Sequence, residues 1–507
     1  MVRSKKLKFS RNIFPKLGKS WQLFFAVVIA LLLTLNFSRV ATAAAKHYSD
    51  LQFNSLPGIK LPKYERFQLN NGLVVYLMED HELPLVSGTT LIKTGSRWEA
   101  GDKVGLGDIV GSLMRIGGTD KHSPDQLNEI LEQRAASVET DINESSGTAS
   151  FESLTEDLET VFGLFAEVLR EPAFAPEKLE LIKTQIRGSI ARRNDDSDNI
   201  ASREFRKLIY GENSPYARTI EYATLDKIQR EDVINFYGQY FHPNNIILGI
   251  VGDFNPKKMR SLIETKLGDW QPNPNIAKTQ LPPVQQANLN GLFFVNQPQL
   301  TQSSILMGHL GGKFNSPDYA ALDVMNGVLN GFGGRLFNEV RSRQGLAYSV
   351  YGLWDPRFDY PGMFITGGQT RSDATVQFIK SIQLEIKRIQ NQLVTEKELR
   401  YAKESTLNSF VFNFQDPGQT LSRLMRYEYY GYPADFLFRY QKAVRKTTAA
   451  DVQRVAQKYL KPENLVTLVV GNQSAIQPPL TQLASKITPI DITIPGSKTQ
   501  TQKSTEK

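Results

Sequence analysis

The chain of 507 residues contains no cysteine. This absence excludes disulfides, thiol catalysis, cysteine-ligated metal sites and a lipid anchor on a cysteine. Histidine is nearly as scarce: the five in the chain are His47, His81, His122, His242 and His309, and no two lie within 30 residues of each other. A metal site on two histidines one helical turn apart is therefore excluded, and a zinc site built from distant histidines is left as an alternative. His81 and His242 lie in turn-like sequences, where exposure or a backbone hydrogen bond is expected.

The excess of positive charge is confined to the beginning of the chain. The formal net charge is +8, and residues 1–45 contain eight basic and no acidic residues. Beyond residue 45, basic and acidic residues are therefore equal in number. This balance of charge gives no reason to expect a nucleic-acid partner. Phosphate-binding loops, nucleophile elbows and dinucleotide fingerprints are also absent from the sequence.

The basic segment continues into thirteen mostly apolar residues, Leu23–Leu35, followed by Ala41-Thr42-Ala43. A positive region, a short apolar block and small residues before a cut are typical of a secretory signal peptide. An uncleaved anchor is the alternative, although the block is shorter than the ~20 residues that a membrane span prefers. A mitochondrial presequence does not explain the unbroken apolar block. We expect an exported protein of a periplasm or lumen, which touches a membrane only if this anchor is retained.

The rest of the chain repeats itself at an offset of 219 residues. "DVINFYGQYFHPNNIILGIVGD" near residue 240 matches "DVQRVAQKYLKPENLVTLVVGN" near residue 459, and "NNGLVVYL" matches "LNGLFFVN". "PEKLE" and "TEKEL" repeat at the same offset. Separated matches at one offset indicate a duplicated domain.

The boundaries follow from this duplication and from composition. Residues 270–290 are rich in proline, asparagine and glutamine, as in a linker. We predict a signal peptide at 1–45, an N-terminal extension at 46–66, a first domain at 67–269, a linker at 270–290, a second domain at 291–485 and a disordered tail at 486–507.

Strand and helix patterns alternate within each copy. "GLVVYLME" and "LVSGTTLIKTGS" are typical of strands, and Ser123-Pro124 followed by Gln126 predicts a capped helix. In the second copy Ser316-Pro317 predicts a helix start, and Thr395 with Glu398 predicts a capping box. Further helices are predicted after Pro176 and after Ser372. The fold class is α+β, with two homologous domains that are each an antiparallel sheet covered by helices.

Two copies of this plan, with "GLGDIVGSLMRIGGT" at 105–119 and "GGRLFNEVRSRQGLAYSV" at 333–350, resemble the pitrilysin and insulinase family of zinc peptidases. That family includes mitochondrial processing peptidase and the core proteins of respiratory complex III. The likeness covers residues 60–485. It implies the duplicated fold of a metallopeptidase.

The resemblance also implies where zinc would be bound. In catalytic relatives the first motif carries His-x-x-Glu-His, in which two histidines bind zinc and the glutamate activates water. Alignment on Gly105-Leu106 places Asp108 and Ser112 at the histidines and Gly111 at the glutamate. A further glutamate ligand is expected some seventy residues on; Glu177 and Glu180 precede that place, and Leu181 and Ile182 lie near it. We predict no metal ligand in this chain.

The second motif retains another part of the family's chemistry. Related peptidases carry an arginine and a tyrosine, seven residues apart, that hold the scissile carbonyl. Arg341 and Tyr348 have this spacing, and such donors can stabilise a developing oxyanion. The glycine-rich turn with Gly331, Gly333 and Gly334 is a shorter version of a loop that contacts substrate in non-catalytic processing-peptidase subunits, and it is a candidate for substrate binding.

These observations lead to three hypotheses. The leading one is an exported, zinc-less subunit that forms a heterodimer with a histidine-bearing relative and supplies Arg341 and Tyr348 to cleavage of a peptide at the partner's zinc. The alternative is a non-enzymatic scaffold or peptide-binding protein of the same fold. An autonomous peptidase with an unrecognised metal site is the third.

Overall fold

A computed structural model describes residues 61–276 and 281–496, which we call the first half and the second half. The predicted signal peptide, His47, most of the predicted N-terminal extension and the end of the tail lie outside the described residues. The two halves belong to one compact unit.

The first half contains six strands and eight α-helices among its described residues. The strands are β1 Glu65–Gln68, β2 Val74–Glu79, β3 Leu85–Ile92, β4 Ser137–Ile142, β5 Gly147–Leu154 and β6 Ile246–Gly252. The helices are α1 Leu106–Ile116, α2 Pro124–Glu132, α3 Leu158–Arg170, α4 Pro176–Ala191, α5 Ser197–Tyr210, α6 Tyr222–Lys227, α7 Arg230–Tyr240 and α8 Pro256–Leu267.

The second half repeats most of this order. Its strands are β7 Gly291–Asn296, β8 Gln302–Leu310, β9 Ala347–Asp355, β10 Met363–Arg371, β11 Val466–Gly471 and β12 Ile487–Pro489. Its α-helices are α9 Tyr319–Leu329, α10 Thr375–Asn391, α11 Glu396–Ser409, α12 Pro417–Tyr430, α13 Phe436–Lys446 and α14 Ala449–Tyr459. A π-helix, Phe337–Arg343, precedes β9.

Each half forms one six-stranded sheet, and the two strand orders correspond. They are β1-β2-β6-β3-β5-β4 and β12-β7-β11-β8-β10-β9. The α+β class with two homologous sheets is confirmed, but the sheets are not wholly antiparallel. β2 pairs with β6 in parallel, as β7 does with β11, because the chain crosses over helices before it returns to the sheet.

The beginning of the predicted disordered tail differs from the prediction. Residues 487–489 form β12, which pairs in parallel with β7. Ile490 and Ile492 pack against the core beside the second sheet, and Asn194 donates a hydrogen bond to the Ile492 carbonyl at 2.7 Å. Apolar residues at 487, 490 and 492 give this segment surface to bury, which the polar composition further on does not offer.

The predicted helix caps are mostly confirmed. Ser123 with Gln126, and Thr395 with Glu398, each form a capping box. The helix expected from Ser316-Pro317 instead begins at Tyr319 after Asp318. Ser316 accepts a hydrogen bond from the Asp318 amide at 3.3 Å, so it closes a turn before the helix rather than the helix itself.

Each half lends one helix to the sheet of the other. Ile200, Phe205 and Ile209 of α5 pack in one core cluster with apolar residues of β7, β8 and β11. The helix at the corresponding place in the second half is α12. It packs Leu421, Leu424 and Met425 against Tyr76, Met78 and Ile247 of β2 and β6. Both sheets are therefore covered on their second face by the opposite half.

We expect Met425→Ala to destabilise the whole unit. Met425 is fully buried, and its sulfur contacts the place where a Cβ on Gly249 would stand, so truncation opens a cavity between the halves. Such changes cost about 2–5 kcal/mol. Urea unfolding followed by circular dichroism measures the loss. The control is Leu384→Ala, because Leu384 is exposed on α10 and its truncation should leave the midpoint unchanged.

Candidate functional site

The helix that aligns with the zinc motif of related peptidases is α1, which packs on β4. Asp108 and Ser112 are exposed and, at i and i+4, share one face. Gly111 is buried against the strand. A Cβ at this position would lie 2.5 Å from the Ile142 amide nitrogen, and Thr140 donates to the Gly111 carbonyl at 2.6 Å. The position of the water-activating glutamate therefore has no room for a side chain.

The remaining donors do not suit zinc. The protein around Asp108 removes part of its hydration and Asp141 lies near, so the pKa of Asp108 rises to about 6. Ser112 offers a hydroxyl that is neutral at ordinary pH. Within the described residues no three histidine, aspartate or glutamate side chains are grouped so that they could hold a metal ion. Asp108, Gly111 and Ser112 therefore do not offer the two imidazoles and one carboxylate that bind zinc in such sites.

The two glutamates near the expected third ligand position do not supply the missing zinc donors. Glu177 and Glu180 are exposed on α4, and Glu180 lies 3.6 Å from the ammonium of Lys183. Leu181 is exposed and Ile182 is buried in the core. Nothing in the described geometry brings either glutamate to Asp108 as part of a metal-sized cluster.

A carboxylate that the sequence analysis missed holds the beginning of α1. Buried Glu99 accepts hydrogen bonds from the amides of Gly105 at 3.1 Å and Gly107 at 2.8 Å. Burial raises its pKa to about 7, against the effect of these amides and of Arg218. Glu99 lies outside the spacing of a capping box, so the sequence carried no signal for it.

Arg341 and Tyr348 lie side by side at the edge of the second sheet. The guanidinium carbon of Arg341 is 4.7 Å from the ring centre of Tyr348 and 4.8 Å from that of Phe337. Cation–π contacts of this length orient an arginine without neutralising it. In the part of the chain that the structure describes, neither the Arg341 guanidinium nor the Tyr348 hydroxyl has a hydrogen-bond or ion-pair partner. Both remain available as donors.

Local backbone irregularities place both side chains. Arg341 belongs to the π-helix, a geometry that is frequent at functional sites. In the pairing of β9 with β10, Ser349 lies opposite Gln369 and Ala347 opposite Thr370, so Tyr348 is the extra residue of a bulge. A bulge redirects a side chain out of the sheet. Tyr348 is accordingly 85% exposed.

A cavity of about 460 Å³ opens beside Tyr348. Its wall combines Gln369 and Ser304 of the second sheet with Asp198 of α5. Asp198 accepts hydrogen bonds from Ser304 at 2.8 Å and from Gln369 at 2.6 Å. Both halves therefore build this cavity, which is large enough for a side chain of a bound peptide.

The glycine-rich turn lies on a different cavity, next to Tyr401 of α11. A Cβ on Gly333 would lie 2.7 Å from the Tyr401 ring, and one on Gly334 would meet the Asn330 carbonyl. Gly331 has a φ of +75°, which favours glycine. These glycines therefore serve a tight packing contact. The turn contacts the Arg341 site through exposed Phe332, whose ring centre is 5.1 Å from that of Phe337.

Each of the four described histidines has a hydrogen-bond or ion-pair partner within the protein. His242 bonds the Gly238 carbonyl at 2.7 Å, which confirms the expected backbone contact, and exposed His81 bonds Asp253 at 2.6 Å. His122 contacts Glu167 at 2.8 Å. Buried His309 contacts the Leu310 carbonyl and accepts from the Lys461 amide, and burial lowers its pKa.

Comparison with known families supports the resemblance drawn from the two motifs. Residues 74–222 match the sequence model described as insulinase, peptidase family M16, and residues 227–406 match the model described as peptidase M16 inactive domain. Together these matches span more than half of the chain. The chain belongs to the M16 peptidase family.

Relatives within the M16 family differ in what they are named. The non-peptidase homolog YmxG of Helicobacter pylori is 22% identical over 82% of this chain and 96% of its own length. The uncharacterized zinc protease YmxG of Bacillus subtilis is 22% identical over 71% of this chain and 86% of its own. The family therefore includes both kinds of relative among proteins equally similar to this one.

Two solved structures share the fold. The peptidase M16 inactive domain from Pseudomonas fluorescens superposes with a TM-score of 0.74 at 23% identity, over 82% of this chain and 99% of its own. The periplasmic protease PqqL from Escherichia coli gives a TM-score of 0.68 at 15% identity, over 88% of this chain and 50% of its own. Both likenesses confirm the duplicated M16 architecture.

We expect Gly111→Ala to destabilise the protein by about 1–3 kcal/mol, because its methyl group would overlap the backbone of β4. The matched control is Gly188→Ala. Gly188 is also a helical glycine, but a Cβ there meets nothing within 4 Å, so this change should stabilise by about 0.5–1 kcal/mol. Thermal unfolding of both variants measures the difference, and a shift of the same sign in both would contradict the close packing of α1.

Proposed function

We propose that this chain is the zinc-less subunit of a heterodimeric M16 peptidase, and that it supplies Arg341 and Tyr348 to peptide cleavage at the zinc of a histidine-bearing partner. One observation carries the proposal. Two donors without partners among the described residues are held together on an exposed edge, whereas the zinc positions of the same chain are occupied by Asp108, Gly111 and Ser112.

The two donors suit an acyl substrate whose carbonyl becomes an oxyanion. A guanidinium and a phenol hydroxyl can both donate to that oxygen, and their charge and dipole are oriented before the substrate arrives. The Arg341 guanidinium lies over the rings of Phe337 and Tyr348, which orient it. No carboxylate among the described residues pairs with it, so none competes with the substrate. Zinc in the partner would supply the activated water and polarise the same carbonyl.

An extended peptide has a place to lie next to these donors. β9 is the last strand of its sheet, so its outer backbone groups can pair with an added strand. The cavity beside Tyr348 would receive one substrate side chain. The role of Gly331, Gly333 and Gly334 in substrate binding stays a proposal, and it would act through Phe332, which lies beside the Arg341 stack.

Export is part of the proposal. The signal-like sequence at 1–45 supports it, as does the structural likeness to the periplasmic protease PqqL. None of the helices within 61–276 and 281–496 has the length and hydropathy of a membrane span. The partner would share the exported compartment.

The test is reconstitution with the histidine-bearing M16 chain that copurifies from native membrane and soluble fractions. Arg341→Ala and Tyr348→Phe should each lower kcat/KM for peptide cleavage by about 10²–10³-fold, as the loss of one oxyanion donor does. Arg343→Ala is the matched control, because Arg343 belongs to the same π-helix but is exposed and paired with Glu339 at 2.8 Å. Full activity of both variants in the complex, or tightly bound zinc in the isolated chain, would overturn the proposal.

A peptide-binding protein without enzymatic activity is the second candidate. The Helicobacter pylori relative is named a non-peptidase homolog, and the edge strand, cavity and free donors also suit binding alone. This candidate gains if the chain binds peptides but no histidine-bearing relative copurifies with it. An autonomous peptidase is disfavoured by the donor set at Asp108 and Ser112.

A further inference from the structure

Helix α12 presents two different faces. Leu421, Leu424 and Met425 bury one face on the first sheet. On the opposite face, a polar stripe at i, i+3, i+4 and i+7 lines a cavity of about 550 Å³, and it consists of Gln419, Ser422, Arg423 and Arg426. The helix thus holds two guanidinium groups at fixed positions over a cavity.

The other walls of this cavity are aromatic. The Tyr319 ring is stacked with those of Tyr440 at 5.1 Å and Phe436 at 6.4 Å. Phe314 contacts Tyr319 at 5.0 Å and Phe358 at 4.6 Å. Linked rings of this kind form a rigid apolar surface at low entropic cost. An apolar or aromatic group is the complementary ligand.

The two arginines of the cavity have no carboxylate partner among the described residues. No acidic residue is among the residues that line it, and Asp323 lies behind the wall, where it accepts from Tyr440. Arg423 donates only to neutral groups, the Asn413 carbonyl at 2.8 Å and its amide oxygen at 2.9 Å. Arg426 has no ion pair within the described ranges. Burial and the nearby charge of Arg426 lower the pKa of Arg423, while Tyr427 opposes this effect.

We propose that this cavity binds the C-terminal end of a peptide whose last residue is aromatic. The carboxylate would lie between Arg423 and Arg426, and the last side chain would lie against Tyr319, Phe436 and Phe358. Charge-assisted hydrogen bonds from two guanidiniums suit a carboxylate, and the ring wall suits an aromatic side chain. None of these residues belongs to the proposed cleavage site, so the inference does not depend on it.

The test is calorimetric titration of the full chain with N-acetyl-phenylalanyl-phenylalanine and with the C-terminal amide of the same peptide. The free acid should bind and the amide should bind at least tenfold more weakly. Arg426→Gln should weaken binding of the free acid by about 10-fold to 100-fold, and higher salt should weaken it as well. Arg423→Gln should do the same where it folds.

Arg439→Gln is the matched control. Arg439 is exposed on α13, one residue before Tyr440, but it is paired with Asp435 at 2.7 Å and does not line the cavity. A third ligand, 3-phenylpropionate, separates a peptide site from a site for small aryl acids: it should bind more weakly than the dipeptide acid. Equal binding of acid and amide, unchanged binding by Arg426→Gln, or tighter binding of 3-phenylpropionate would each overturn the proposal.

Discussion

The exchange of helices between the two halves is the constraint on which the rest of the structure depends. A six-stranded sheet has two faces, and each half covers only one of them with its own helices. α5 covers the remaining face of the second sheet, and α12 covers that of the first. Polar contacts follow the same boundary, since Arg97 pairs with Asp359 and Arg66 with Glu428. Apolar and polar contacts therefore both fix how the two halves lie against each other.

The outer edges of the two sheets, at β4 and at β9, carry different chemistry. At α1 the helix lies so close to β4 that Gly111 has no side chain, and Glu99 satisfies the amides at the beginning of the helix. Among the described residues, no metal-sized cluster of side chains forms at this place. At the far edge of the second sheet the backbone is irregular instead, and a π-helix and a bulge turn Arg341 and Tyr348 outward. The helix that aligns with the zinc motif is thus packed closely on its strand, whereas Arg341 and Tyr348 lie at an exposed edge.

Much of the fold could be predicted because its signals lie in short stretches of sequence. Capping boxes at Ser123 and Thr395 depend on neighbours three residues away, and the 219-residue repeat is found by matching short sequences. The spacing of Arg341 and Tyr348 was visible too, but not their stacking, because the bulge at Tyr348 depends on which residue of β10 lies opposite. The parallel pairs and the cavity over α12 arise from contacts between segments far apart in sequence. Glu99 bonds amides only six and eight residues ahead, but at a spacing that no capping pattern predicts. Periodicity carries no information about them.

The edge strands β1 and β12 are one place where the described parts of the two halves differ. β1 comes before its neighbour in the chain and runs antiparallel to it, whereas β12 comes from the far end and runs parallel to β7. The second sheet thus takes its outer strand from the chain beyond β11, whereas the described residues of the first half beyond β6 form no strand. Trimming by a protease as far back as residue 486 would uncover the hydrogen-bonding groups of β7, and self-association through strand pairing is the expected fate of a sheet left open in this way.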